Sequence, residues 1–108
     1  FDNSEFSVTV MYAESEAGGH FDYYPRLRDE RDENYPGVRK VLLGDPGGVV
    51  RLPSSPGTLA VFRGQHALHR VTPVRGPRPR INSVLTYGER PGMKLNRLTQ
   101  ELFYGRTA

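Results

Sequence analysis

Short apolar runs separated by glycine and proline leave this chain few ways to fold. Twelve glycines and nine prolines occur in 108 residues, mostly between the apolar segments. Glycine supplies turns that other residues resist and proline interrupts helices and sheet ladders, so the pattern predicts an all-β chain rich in turns and argues against a helical bundle. A length of 108 residues with 36% hydrophobic content allows one domain with a modest core.

The local signals follow that frame. Phe6 to Met11 alternates apolar with polar or β-branched residues, the period of a strand, and Tyr12 extends it. Gly18-Gly19 turns the chain into a second, aromatic strand at Phe21, Tyr23 and Tyr24, and the two strands read as a hairpin. Arg26 to Glu33 alternates charge without an apolar face and reads as solvated surface. Pro36 followed by Val38, Val41 and Leu42 predicts a short helix ending near Gly44. Val49–Leu52, Thr58–Phe62 and Arg80–Tyr87 are further strands, and Leu95, Leu98 and Leu102 mark a C-terminal helix capped by Asn96 and stopped at Gly105.

Composition narrows function. With no cysteine, a transition metal would have to be held by His and carboxylate, a composition that fits a reducing cytoplasm. No apolar run approaches the roughly 18 residues of a membrane span, and Phe1-Asp2-Asn3-Ser4-Glu5 has no signal-peptide character. The net charge is +3, and Arg63, Arg70, Arg75, Arg78 and Arg80 crowd one stretch. No aromatic residue between Arg70 and Arg80 offers a base-stacking platform, so nucleic acid is not the expected partner.

The segment Gly64-Gln65-His66-Ala67-Leu68-His69-Arg70-Val71-Thr72-Pro73-Val74, followed by Arg80-Ile81-Asn82-Ser83, resembles the distal half of the iron site in iron(II)- and 2-oxoglutarate-dependent oxygenases. The resemblance implies a double-stranded β-helix (jelly roll), with residues 1–108 forming the C-terminal part of one such domain and a short helix at its end. It also implies Fe(II) and 2-oxoglutarate as cofactor and co-substrate, with His69 on the metal and Arg80 on the far carboxylate of 2-oxoglutarate. Chemistry is compatible with both roles: imidazole suits iron(II), and guanidinium forks onto a carboxylate. His66 lacks the Val-Thr-Pro-Val that follows His69 and belongs to the approach.

The resemblance asks for a His-x-Asp pair, and two frames are open. His20-Phe21-Asp22 displays one. Alternatively, Asp2 is the carboxylate of a His-Phe-Asp motif whose His precedes Phe1. Four strands intervene between that motif and the distal His in the family, and the segments Phe6–Tyr12, Phe21–Tyr24, Val49–Leu52 and Thr58–Phe62 supply four after Asp2 but too few after Asp22. Gly18-Gly19 also resembles a segment that follows the pair at a distance. The Asp2 frame is therefore preferred, with Asp2 and His69 as metal ligands.

Gly-Gly-His-Phe-Asp-Tyr-Tyr-Pro, Phe62-Arg63-Gly64 and Arg90-Pro91-Gly92 are most similar to a bacterial branch containing small-molecule hydroxylases and free amino-acid halogenases. A carboxylate at Asp2 favours hydroxylation. The expectation is an enzyme that hydroxylates a small molecule, such as an amino acid or its derivative, with dioxygen as the oxidant. Strand parity from Arg80 turns Asn82, Val84 and Thr86 inward. Thr86 and Asn3 are candidate substrate contacts, and Arg78 is the rival to Arg80. The competing expectation is a non-catalytic, cupin-like jelly-roll module that binds a small ligand. Oligomeric state is not legible.

Overall fold

The computed structural model describes residues 1–107. Within them the chain runs β1 (Phe6–Ala13), β2 (Ala17–Gly18), β3 (Phe21–Tyr24), α1 (Tyr35–Leu42), β4 (Val50–Arg51), β5 (Leu59–Phe62), β6 (Leu68–Val71), β7 (Val74–Arg75), β8 (Ile81–Tyr87) and α2 (Arg97–Tyr104). The architecture is mostly β, with two short helices. Strands assemble as β5-β1-β8, as β4-β3-β6 and as the pair β2-β7, every pairing antiparallel. These sheets are open and do not close into a barrel. No helix among the described residues is long and apolar enough to cross a membrane.

The expected hairpin of Phe6–Tyr12 with Phe21–Tyr24 does not form. β1 pairs with β5 and β8, and β3 pairs with β4 and β6, so the two strands lie in different sheets. The reason lies in the connection. Gly18 adopts φ +66°, and a side chain there would strike the carbonyl of Pro73; this close approach commits the Ala17–Gly18 segment to β7. The chain thus leaves β1 for a separate two-stranded ribbon before β3 begins.

Register decides which residues face the site. Ser7 stands opposite Phe62 and Thr86, Thr9 opposite Ala60 and Val84, and Met11 opposite Asn82, so these side chains share one face of the β5-β1-β8 sheet. On the other sheet Tyr23 is opposite His69 and Phe21 opposite Val71. The two faces meet through rings: Phe62 lies 5.1 Å from Phe21 and 5.0 Å from His69, centroid to centroid. Ser7 and Met11 are buried there, whereas the apolar alternates Leu59, Val61, Ile81 and Leu85 turn outward and are exposed. The more polar face of this sheet is therefore the inner one.

Helix ends follow local chemistry. Asn96 Oδ1 accepts from the Thr99 amide at 2.8 Å, and Gly105 closes α2 in the left-handed region at φ 67°. Asn34, itself left-handed, caps α1 by accepting from the Gly37 amide, and its Nδ2 ties the helix to the Leu27 carbonyl at 2.8 Å. Leu27 is buried, so the charged segment after Arg26 is anchored at its start and is not wholly solvated surface.

Candidate metal centre

Asp2 is held by its own turn. Its Oδ1 accepts from the Ser4 amide at 2.8 Å and from the Ser4 hydroxyl at 2.5 Å, while its amide donates to the Gly64 carbonyl at 3.1 Å. The neighbours of Asp2 are tethered as well. Gln65 Nε2 donates to the Asn3 carbonyl, the Asn96 amide donates to Asn3 Oδ1, and the Arg28 guanidinium covers the Phe1 ring at 3.7 Å. The first residues are thus fastened to the turn before β6, to the start of α2 and to the segment after β3.

β6 brings His69 to this carboxylate. Its ring is stacked near Phe21, 5.9 Å away, with the edge of Phe62 on another side. His69 Nδ1 lies 2.8 Å from the Ala67 carbonyl, which can only accept, so Nδ1 carries a hydrogen. In the neutral ring the lone pair is then on Nε2, and Nε2 faces Asp2 Oδ2 at 3.3 Å. A bare lone pair and a carboxylate oxygen at that distance repel unless a proton or a metal cation lies between them.

The electrostatics suit a cation. Burial works against ionisation of Asp2, but the Ser4 hydrogen bonds, together with the one from His69 when a proton sits on Nε2, outweigh it and hold the carboxyl at about 2. Two ligands with bonds of about 2.1 Å at a right angle are roughly 3 Å apart, close to the observed separation. Asp2 and His69 therefore fit adjacent positions around one divalent ion. Among the described residues no third His, Cys, Asp or Glu joins them.

Arg80 immediately precedes β8, the strand next to β1. Its Nη1 donates to Asn82 Oδ1 at 2.7 Å, and its Nε is buried without a partner. Burial lowers the readiness of this guanidinium to hold its proton. Gly19 makes room for its stem: a side chain there would crowd Arg80 Cδ and Ser15. Arg78, by contrast, is exposed and reaches only Glu16, at 4.0 Å.

The remaining candidates are dispersed. Asp22 is 4% exposed but takes paired bonds from Arg51 and two more from Arg70, on the face of its sheet opposite His69. His20 shares the parity of Asp22 and bonds Thr72 through its backbone and through the Thr72 hydroxyl, so His20 and Asp22 lie on the face away from His69 and only Phe21 of that run meets it. His66 sits in the turn from Arg63 to Ala67. Asn3 spends its side-chain oxygen on Asn96, and Thr86 is opposite Ser7 but exposed. Ser4, Ser7 and Gly64 matter to the geometry and were not among the expected site residues; the signal for Ser4 is the Asp-x-Ser spacing of a side-chain turn.

Compared with protein-family models, curated proteins and solved structures, the chain finds no match.

Proposed function

We propose that this chain is part of an iron(II)- and 2-oxoglutarate-dependent oxygenase that hydroxylates a small molecule, on a fold of the double-stranded β-helix type. The observation that carries this reading is the pairing of His69 Nε2, its tautomer fixed by the Ala67 carbonyl, with Asp2 Oδ2 at 3.3 Å. When bound, iron(II) would supply dioxygen activation coupled to decarboxylation of 2-oxoglutarate. Asp2 and His69 would hold it. A carboxylate at Asp2 leaves no vacant ligand position for halide, which favours hydroxylation over halogenation.

Arg80 supports the co-substrate assignment. The Asp2 turn is joined to β1 at Ser7, and Asn82, which holds Arg80, stands opposite Met11, four residues on. Four residues of strand span about 13 Å. The guanidinium, held at Asn82, is referenced to the same face of the sheet as Ser7 at that distance along the strand, and the reading assigns it the far carboxylate of 2-oxoglutarate. A guanidinium braced by Asn82 through Nη1 is the group that pairs best with a carboxylate. The direct test is succinate formation from 2-oxoglutarate by the full gene product supplied with iron(II), ascorbate and air, against the Asp2→Ala and His69→Ala variants. Succinate from the native protein alone supports the reading. Retention of metal and 2-oxoglutarate binding without turnover under any substrate tried would favour the cupin-like binding module.

A further inference from the structure

We infer that Ser4 and Ser7 form a positioning relay that fixes which oxygen of Asp2 a divalent metal meets. The inference rests on the metal-site reading above. Ser4 is 4% exposed and Ser7 1%, and their hydroxyl oxygens are 2.8 Å apart. Each hydroxyl has one proton. Ser4 gives its proton to Asp2 Oδ1, which as a carboxylate oxygen can only accept, so the bond between the serines must run from Ser7 to Ser4. The direction is therefore Ser7 to Ser4 to Asp2 Oδ1.

Two consequences follow from that direction. Oδ1 already accepts from the Ser4 amide and hydroxyl, so Oδ2 alone is presented toward His69, and the carboxylate would bind metal through one oxygen. Because Ser7 lies within β1, between Phe62 and Thr86, the carboxylate is also referenced to the sheet and not only to its own turn. Partners of this kind hold a ligand in its productive rotamer, and removing one typically weakens metal binding about 10- to 100-fold.

The test uses the full gene product with cobalt(II) alone as the probe, measuring its dissociation constant by calorimetry and its visible ligand-field spectrum. Ser4→Ala should weaken cobalt binding by about 10- to 100-fold and alter the spectrum, because Oδ1 then keeps only the backbone amide of position 4 and can compete for the metal. Ser4→Thr, which keeps the hydroxyl, should restore both. Ser7→Ala should move both readouts the same way by less. Should Ser4→Ala fail to fold, Ser4→Thr and Ser7→Ala still decide. Wild-type affinity and spectrum in Ser4→Ala, or in Ser7→Ala beside a non-restoring Ser4→Thr, overturn the relay while leaving the metal site intact. A native protein that takes up no cobalt overturns the metal-site reading and the relay with it.

Discussion

Gly64 lies directly against the carboxylate of Asp2, so close that a methyl group on its Cα would overlap both carboxylate oxygens. The Gly64 carbonyl meanwhile receives the Asp2 amide, so the two residues cannot simply separate. Gly64→Ala should therefore swing the carboxylate off the His69 axis. The expected outcome is a loss of divalent-metal affinity of about 10- to 100-fold, with circular dichroism and melting temperature changed little. Unchanged cobalt(II) affinity in a folded variant would show that the carboxylate at Asp2 has no metal role.

Asp22 is the counter-case, a buried carboxylate whose partners are complete. Hydrogen bonds from Arg51 come first, then those from Arg70, and together they overcome burial and hold Asp22 below the ordinary carboxylate range. A carboxyl with a depressed native pKa adds stability above its unfolded value near 4, and that stability is lost as pH falls through the native value. Asp22→Asn should thus lower stability at pH 7 and flatten the acid limb of unfolding below about pH 4. Arg51 and Arg70 are both largely exposed and can return to water, so the cost should be about 1–2 kcal/mol rather than the larger penalty of stranding a buried charge. Urea unfolding at pH 7 and pH 3 measures it; equal losses at both pH values would contradict the pairing.

How much of this was legible in the sequence depends on the range of the interaction. The α2 boundaries, Asn96 and Gly105, are set by neighbours within a turn, and the sequence marks both. Strand segments follow from side-chain alternation, which is local too. Pairing is different: β1 takes partners some 50 and 75 positions away, and nothing in Phe6-Ser7-Val8 names Phe62 or Thr86 as its opposite. Chain adjacency suggested a hairpin with Phe21–Tyr24, and the Gly18–Pro73 contact, invisible locally, prevents it. At the site, Asp2, His69 and Arg80 were singled out by the resemblance of their segments to a known family, but Ser7 looks like any solvent-side position of an alternating strand. Only the sheet's inverted polarity shows that it faces inward.

That inversion makes a stability prediction. Val61 is 59% exposed and Leu85 48% exposed on the outer face of the β5-β1-β8 sheet. Replacing both with Thr keeps strand-compatible side chains at these positions. For the chain as described, unfolding free energy should change by no more than about 0.5 kcal/mol per site, while binding of an apolar fluorescent dye falls. A loss of several kcal/mol in urea titrations would mean that this face is covered in solution.

Arg80 and Arg78 should separate cleanly in a co-substrate titration. Arg80 is half-buried, braced by Asn82 and left with an unpartnered Nε, whereas Arg78 is exposed beside Glu16. An anion arriving at Arg80 meets a guanidinium that is half-buried and oriented by Asn82, and it completes a charged pair that would otherwise lack one member. Arg80→Gln preserves length and hydrogen-bonding groups but removes the charge. Removing one partner of such a pair typically costs about 3–5 kcal/mol, equivalent to a weakening of roughly two to three and a half decades. Arg78→Gln removes only an exposed, screened charge and should change affinity by less than about threefold. Asn82→Ala should fall between them, since it frees the guanidinium to rotate without discharging it. The measurement is anaerobic calorimetric titration of 2-oxoglutarate into the iron(II)-loaded full gene product. Weakening in Arg78→Gln alone would transfer the role to that residue, and native-like binding in both variants would remove the basis for a dicarboxylate co-substrate.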